Sequence, residues 1–204
     1  MFAYCNNNPV SRTDPTGEWS WGGFLTGLAV AAMGIVMVAA SVATLGAATP
    51  LAAAALSATT TAVVGLAATA TGTTMAYAAA TDQAMVIDAS FSVPTGGNEY
   101  KRYGASLVLD FGNDYAALYT HDGHGEGFSA GFSFSTGVVR NAPTPESYEG
   151  TFYDYSAGFV IGAEHCYAPE GNYKNRTSAT CLTFGKGASA GVCCDEYKLI
   201  LSTR

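Results

Sequence analysis

Charge is scarce in this chain, and basic charge scarcest. Only 12% of its 204 residues are Asp, Glu, Lys or Arg, about half the usual share for a soluble domain. Nine basic residues stand against sixteen acidic ones, for a formal net charge of −7. Such a chain lacks the clustered basic face that holds nucleic acid, so no nucleic-acid partner is expected. No P-loop, no GxGxxG dinucleotide fingerprint and no CxxC pair occurs, which leaves phosphate-cradling, dinucleotide and zinc-ribbon chemistry without sequence support. Disorder is excluded from the other side: 49% of the residues are hydrophobic, too many for a solvated acidic tail.

The scarce charge is also unevenly placed. From Trp19 to Thr81 there is no Asp, Glu, Lys, Arg or His, whereas residues 82–204 hold eight of the nine basic and fourteen of the sixteen acidic residues. The chain therefore divides into a polar head (1–21), an apolar middle (22–81), a linker (82–102) and a polar tail (103–204). A bilayer-crossing helix needs roughly 20 apolar residues, and the middle is long enough for two. Gly22 to Ala48 reads as the first. Thr49-Pro50 comes next as a turn, with Thr as a helix N-cap and Pro in the first turn. Leu51 to Thr81 reads as the second. Stripes of small residues run along both: Gly23, Gly27, Ala31 and Gly34 on one, Gly65, Ala68, Gly72 and Ala76 on the other. Such stripes let helix backbones approach closely in lipid. The expectation is a helical hairpin that associates with a membrane. No secretory leader is expected, because the apolar run starts late, is long and lacks a basic flank.

The tail alternates with a period of two. Tyr103, Ala105, Leu107, Leu109 and Phe111 share one face of a strand, and Phe128, Ala130, Phe132 and Phe134 share one face of another. Further segments at 115–120, 152–166, 178–184, 188–193 and 196–201 complete seven or eight short strands separated by turn signals. This pattern predicts an α+β chain, with the helical hairpin leading into a small antiparallel β-barrel or sandwich. Strands of about six residues are short for spanning a bilayer. The expectation is thus a soluble barrel filled by its aromatic face.

The head carries one specific resemblance. Ala3-Tyr4-Cys5-Asn6-Asn7-Asn8-Pro9, together with Asp14-Pro15-Thr16-Gly17, resembles the end of the core of RHS-repeat (YD-repeat) proteins. The match covers about 20 residues. The resemblance implies that this segment closes a large β-shell and that the chain beyond it is a variable cargo of the polymorphic-toxin kind. It places Asp14 in the region that takes part in self-cleavage. It also implies the shell of the parent protein and a cognate immunity protein as partners, and a chain that is membrane-associated, or secreted or displayed at a cell surface as part of a larger RHS protein. Glu18 before Trp19 departs from the family pattern, which often has Leu or Trp directly after the Gly.

Chemical candidates in the tail are few. His121-Asp122-Gly123-His124-Gly125-Glu126 is the densest group of ligand-type residues. As a cluster, His121, Asp122 and His124 would suit a divalent metal in N/O ligation, and His121, His124 and Glu126 are the candidates for acid/base catalysis. As a hairpin turn, Asp-Gly between two strands accounts for the same residues, and no cofactor is required. Four cysteines lie in the tail, and Cys166–Cys181 is the candidate disulfide across a strand pair. The resulting expectation is a membrane-associated effector, more a membrane-active protein than an enzyme. Its alternatives are a hydrolytic toxin that uses the hairpin for translocation, and a non-enzymatic surface-binding module.

Overall fold

The computed structural model describes residues 51–170, 176–185 and 189–203. The first arm of the expected hairpin, with Gly23, Gly27 and Gly34, and the RHS-like head with Asp14 lie outside the described residues. The second arm is a single helix, α1 (Leu51–Ala80). Its threonines turn their hydroxyls onto their own backbone: Thr69 to the Gly65 carbonyl at 2.8 Å, Thr71 to Ala67 at 2.8 Å and Thr73 to Thr69 at 3.0 Å. That local bonding hides the polarity of a Thr-rich helix. Ala62–Ala80 is long and apolar enough to cross a membrane, and 28% of it is buried.

The helix ends in a tight joint. Asp82 adopts a left-handed conformation at φ 52°, and the Gln83 amide reaches back to the Ala78 carbonyl at 2.9 Å. This is the six-residue bond of a Schellman cap. Two residues after Asp82 the first strand begins.

Eight antiparallel strands then close into a barrel: β1 (Ala84–Gly96), β2 (Glu99–Asp110), β3 (Tyr115–Ser129), β4 (Gly131–Arg140), β5 (Gly150–Gly158), β6 (Ile161–Tyr167), β7 (Ser178–Gly185) and β8 (Ser189–Ser202). Around the ring the order is β1-β2-β3-β8-β5-β6-β7-β4, with β4 pairing back to β1. Antiparallel closure removes every free strand edge. The α+β class and the barrel are thus as expected, but several boundaries are not. The stretch 82–102, expected to be a linker, forms β1 and the start of β2. Residues 121–125, expected to turn, lie in the middle of the continuous strand β3. The segments 188–193 and 196–201 are one strand, β8.

The larger correction concerns which face points inward. Phe128 and Phe132 are more than half exposed, and Tyr103 is half exposed. The partners that alternate with them, Ser133, Ser135 and Arg102, point into the barrel instead. The aromatic face is the outside. At the end formed by the β2–β3 and β4–β5 connections the interior is apolar: Val86, Val108, Ala117, Tyr119, Val139, Tyr148, Phe152, Ala179 and Tyr197 form one buried cluster. A 3₁₀ turn at Pro145–Tyr148 plugs this end. Tyr119 donates to the Pro145 carbonyl at 2.6 Å and Tyr115 to Ala142 at 2.9 Å, which pins the plug.

Outside, the wall has two sides. β3 and β8 present Asp122, His124, Glu126, Glu196 and Lys198 to water, with the apolar Leu118, Phe128, Val192, Ile200 and Leu201 exposed nearer the strand ends. β1, β4 and β7 present Phe91, Val93, Phe132 and Leu182, and the helix lies against these same three strands. The strands run 7 to 15 residues, and β6 and β7, at 7 and 8 residues, fall short of the about 9–11 that a spanning strand needs. The charged side is a second bar. Lys at the bilayer midplane costs about 2–4 kcal/mol and acidic groups somewhat less, so a ring carrying four such groups, and His124 besides, on two adjacent strands does not sit wholly in lipid.

Candidate functional site

Midway along the barrel, six strands bring ionisable side chains together. Arg102 of β2 is 4% exposed. Its guanidinium contacts Asp154 of β5, Glu164 of β6 at 2.7 Å, Asp195 of β8 at 3.3 Å and Asp88 of β1 at 3.5 Å. His121 of β3 lies 2.8 Å from Asp88, which also accepts a bond from Ser106 at 2.6 Å. All four carboxylates are buried. The strands provide the positions by simple parity: Asp88 shares a face with Ser90 and Ser92, and Arg102 with Tyr100 and Ser106. Glycine on the facing strand provides the space. A side chain at Gly104 would collide with the His121 ring, and one at Gly123 with the Asp195 carboxylate.

One guanidinium cannot neutralise four carboxylates, and an uncompensated buried charge is strongly unfavourable. The carboxylates divide accordingly. Burial pushes Asp154 well above the usual carboxylate range, and the charge of neighbouring Glu164 pushes it further. Burial also acts to raise Glu164, but the Arg102 charge and a hydrogen bond from Asp154 outweigh it and hold Glu164 low. At Asp88 burial is likewise outweighed, by the hydrogen bond and charge of His121 together with Arg102. Several buried polar atoms find no hydrogen-bond partner: Asp154 Oδ1, Asp195 Oδ2, Asp88 Oδ2 and His121 Nδ1.

Above this cluster, toward the β3–β4 and β5–β6 connections, the lumen is lined by hydroxyls and glycines. Ser135 and Thr183 both donate to Glu164 Oε2, at 3.3 and 3.4 Å, and Ser90 bonds Ser133 at 2.8 Å. A cavity of about 40 Å³ opens here, with Arg102 and Glu164 among its lining residues and Phe132, Phe159 and Ile161 at its rim. That is room for two or three waters and no more.

The sequence-derived candidates do not converge. His121 points inward onto Asp88. Asp122 and His124 are exposed on polar faces, Asp122 3.8 Å from Lys198 and His124 3.7 Å from Glu99. Glu126 also faces out. Neighbouring residues on a strand point to opposite faces, so His121 and Asp122 cannot share a metal. Among the described residues no group of His, Cys, Asp and Glu is placed to hold one. Cys166 and Cys181 are buried on the same inward face of β6 and β7 but remain free thiols, so the expected disulfide is not formed. Burial raises both thiols, and nearby carboxylates add to it. Gly65 and Gly72 of α1 are buried. Gly187-Ala188-Ser189-Ala190-Gly191 spells a GxSxG sequence, but Ser189 opens strand β8 rather than a strand-to-helix elbow. Sequence reasoning missed Arg102, Asp88, Asp154 and Asp195. The available signal was Asp88-Ser90-Ser92 alternating with Ile87, Ala89, Phe91 and Val93, a polar stripe at strand spacing.

No family model matches the chain, and no curated protein matches it. Among solved structures it is similar to the virulence-associated protein VapD from the intracellular pathogen Rhodococcus equi, at 15% identity and a TM-score of 0.38, over 57% of this chain and 99% of that one.

Proposed function

We propose that this chain is a membrane-associated effector region of an RHS-repeat-type protein, held at a bilayer by its apolar middle segment and by one side of its barrel. The observation that carries this reading is the outward apolar wall. Phe91 is 50% exposed, Phe132 55%, Leu182 52% and Ile161 51%, on or beside the strands against which the apolar helix lies. A soluble barrel turns such residues inward. Lipid is the occupant that suits the wall and the helix together, while β3 and β8 keep their charges in water. The RHS-like head supplies the second half of the proposal. It implies delivery from a shell and an immunity protein that neutralises the effector.

Each half-exposed Phe, Leu or Ile gains about 1 kcal/mol when its remaining surface leaves water. The triple variant Phe91→Asn, Phe132→Asn, Leu182→Asn therefore forfeits about 3 kcal/mol, a loss of about 100-fold in partitioning at 1.4 kcal/mol per decade. The test is flotation of the full chain with vesicles of bacterial lipid, wild type against the triple variant, with membrane potential followed by dye during expression in bacteria. Vesicle binding that drops steeply in the triple variant supports the reading. A wild-type chain that stays monodisperse without detergent and does not float refutes it. Dimers that dissociate on the triple substitution assign the wall to a second copy instead.

A further inference from the structure

We propose that the chamber around Arg102 is a proton-binding lock on β5 and β6: Asp154 holds one proton, shares it with Glu164, and its release leaves two buried carboxylates repelling across these paired strands. This goes beyond the membrane reading and does not depend on it. The argument is geometric. The Arg102 guanidinium is the only cation that Asp154 and Glu164 contact among the described residues, and Asp88 and Asp195 draw on it too. Asp154 and Glu164 take the Nη1 and Nη2 corners of that one guanidinium, and burial with the neighbouring Glu164 charge raises Asp154 while Arg102 holds Glu164 low. Asp154 Oδ1 is buried and meets no donor. A carboxyl bound to a carboxylate satisfies both groups with one proton, whereas two bare carboxylates in contact repel in a medium that screens them poorly. A metal in place of the proton would crowd the guanidinium, and the space beside the pair takes only a few waters.

The other titratable groups around the pair come from the surrounding strands: Asp88 of β1, Tyr100 and Arg102 of β2, His121 of β3, Cys166 of β6, Cys181 of β7, and Cys193, Asp195 and Tyr197 of β8. β4 presents Ser135, a hydroxyl that does not titrate. The cavity lined by Glu164 has room for a few waters, which would give the proton its route to solvent. The proton moves from the Asp154 carboxyl to water as base rises, leaving two carboxylates, and no other bond changes.

The test uses the full chain in mild detergent. Difference infrared spectroscopy at neutral pH is expected to show one protonated carboxyl that disappears in Asp154→Asn, a variant that mimics the protonated group. Thermal unfolding across pH 5 to 9 is expected to show the wild-type unfolding constant rising about tenfold per pH unit, the slope of one extra proton bound in the folded state. Asp154→Asn is expected to flatten that slope. Absence of a protonated carboxyl at neutral pH overturns the proposal, as does a slope unchanged in Asp154→Asn. If that variant does not fold, the wild-type band decides: loss of the band at alkaline pH with no fall in stability overturns the lock, and loss of both together upholds it.

Discussion

Replacing Arg102 with Met tests the charged chamber most directly. Met fills much of the space of the arginine stem but carries no charge. It leaves Asp88, Asp154, Glu164 and Asp195 buried without the cation that each contacts. Removing one partner of a buried ion pair costs about 3–5 kcal/mol, and here one partner serves four. The expected cost at neutral pH is at or above the upper end of that range. With a urea dependence of about 2 kcal/mol per molar for a domain of this size, the midpoint falls by about 2 M or more. The assay is urea unfolding of the full chain in mild detergent, followed by the near-ultraviolet signal of the tyrosines packed with Phe152. The pH dependence supplies a second check. Without Arg102 the carboxyls are raised by burial, so folded values exceed unfolded ones. Stability is then greatest below the unfolded values and is lost as pH rises through the folded ones. Acid therefore narrows the gap between variant and wild type. A cost below about 1 kcal/mol, or a cost that does not change between pH 4 and pH 8, refutes the account of the chamber.

Four further outcomes are expected. The wild-type barrel loses stability below about pH 4, because Asp88 and Glu164 are held low by their partners, and stability tied to a lowered carboxylate is present above the unfolded value and lost as pH falls through the folded one; a circular-dichroism melt series reads this. In a chain carrying Cys5→Ser, a thiol reagent modifies Cys194 quickly, and Cys166, Cys181 and Cys193 only on unfolding, because those three are buried and Cys194 is exposed. Gly123→Val destabilises by about 1–3 kcal/mol through overpacking against Asp195 and Cys193, measured as a fall in urea midpoint. Tyr119→Phe removes the bond to the Pro145 carbonyl and costs about 1 kcal/mol, read as a lower melting temperature.

Helix α1 was legible in the sequence, since the thirty-one residues without charge between Pro50 and Asp82 leave few alternatives. So was the barrel class, because period-two alternation recurs through the tail. Strand parity was not. Alternation says that two faces differ but not which one meets water, and the usual assumption of apolar inside fails for a barrel whose outer side is apolar. Reading Phe128, Phe132 and Phe134 as filling reversed the molecule, and the interior acids then had no place. Asp88 and Arg102 fell in a stretch expected to be a linker. Asp154 and Asp195 lie 41 residues apart, and only the ring order that sets β5 beside β8 brings them together. The HDGHG stretch at 121–125 reads as a turn because of its Asp-Gly pair. Its glycines instead make room for Asp195 and Tyr100 inside.

The ring order also has a consequence in time. β8 is the last strand in chain order, yet it sits between β3 and β5. Until it is made, the other seven strands form at most an open sheet with two unsatisfied edges, and Arg102 lacks Asp195. Closure must therefore await synthesis of the final strand, and contacts this distant in sequence are slow to form. A ribosome that withholds the fourteen residues of β8 keeps the whole barrel open. Everything upstream can be translated, threaded or stored in that unclosed state, and release of one terminal strand commits it.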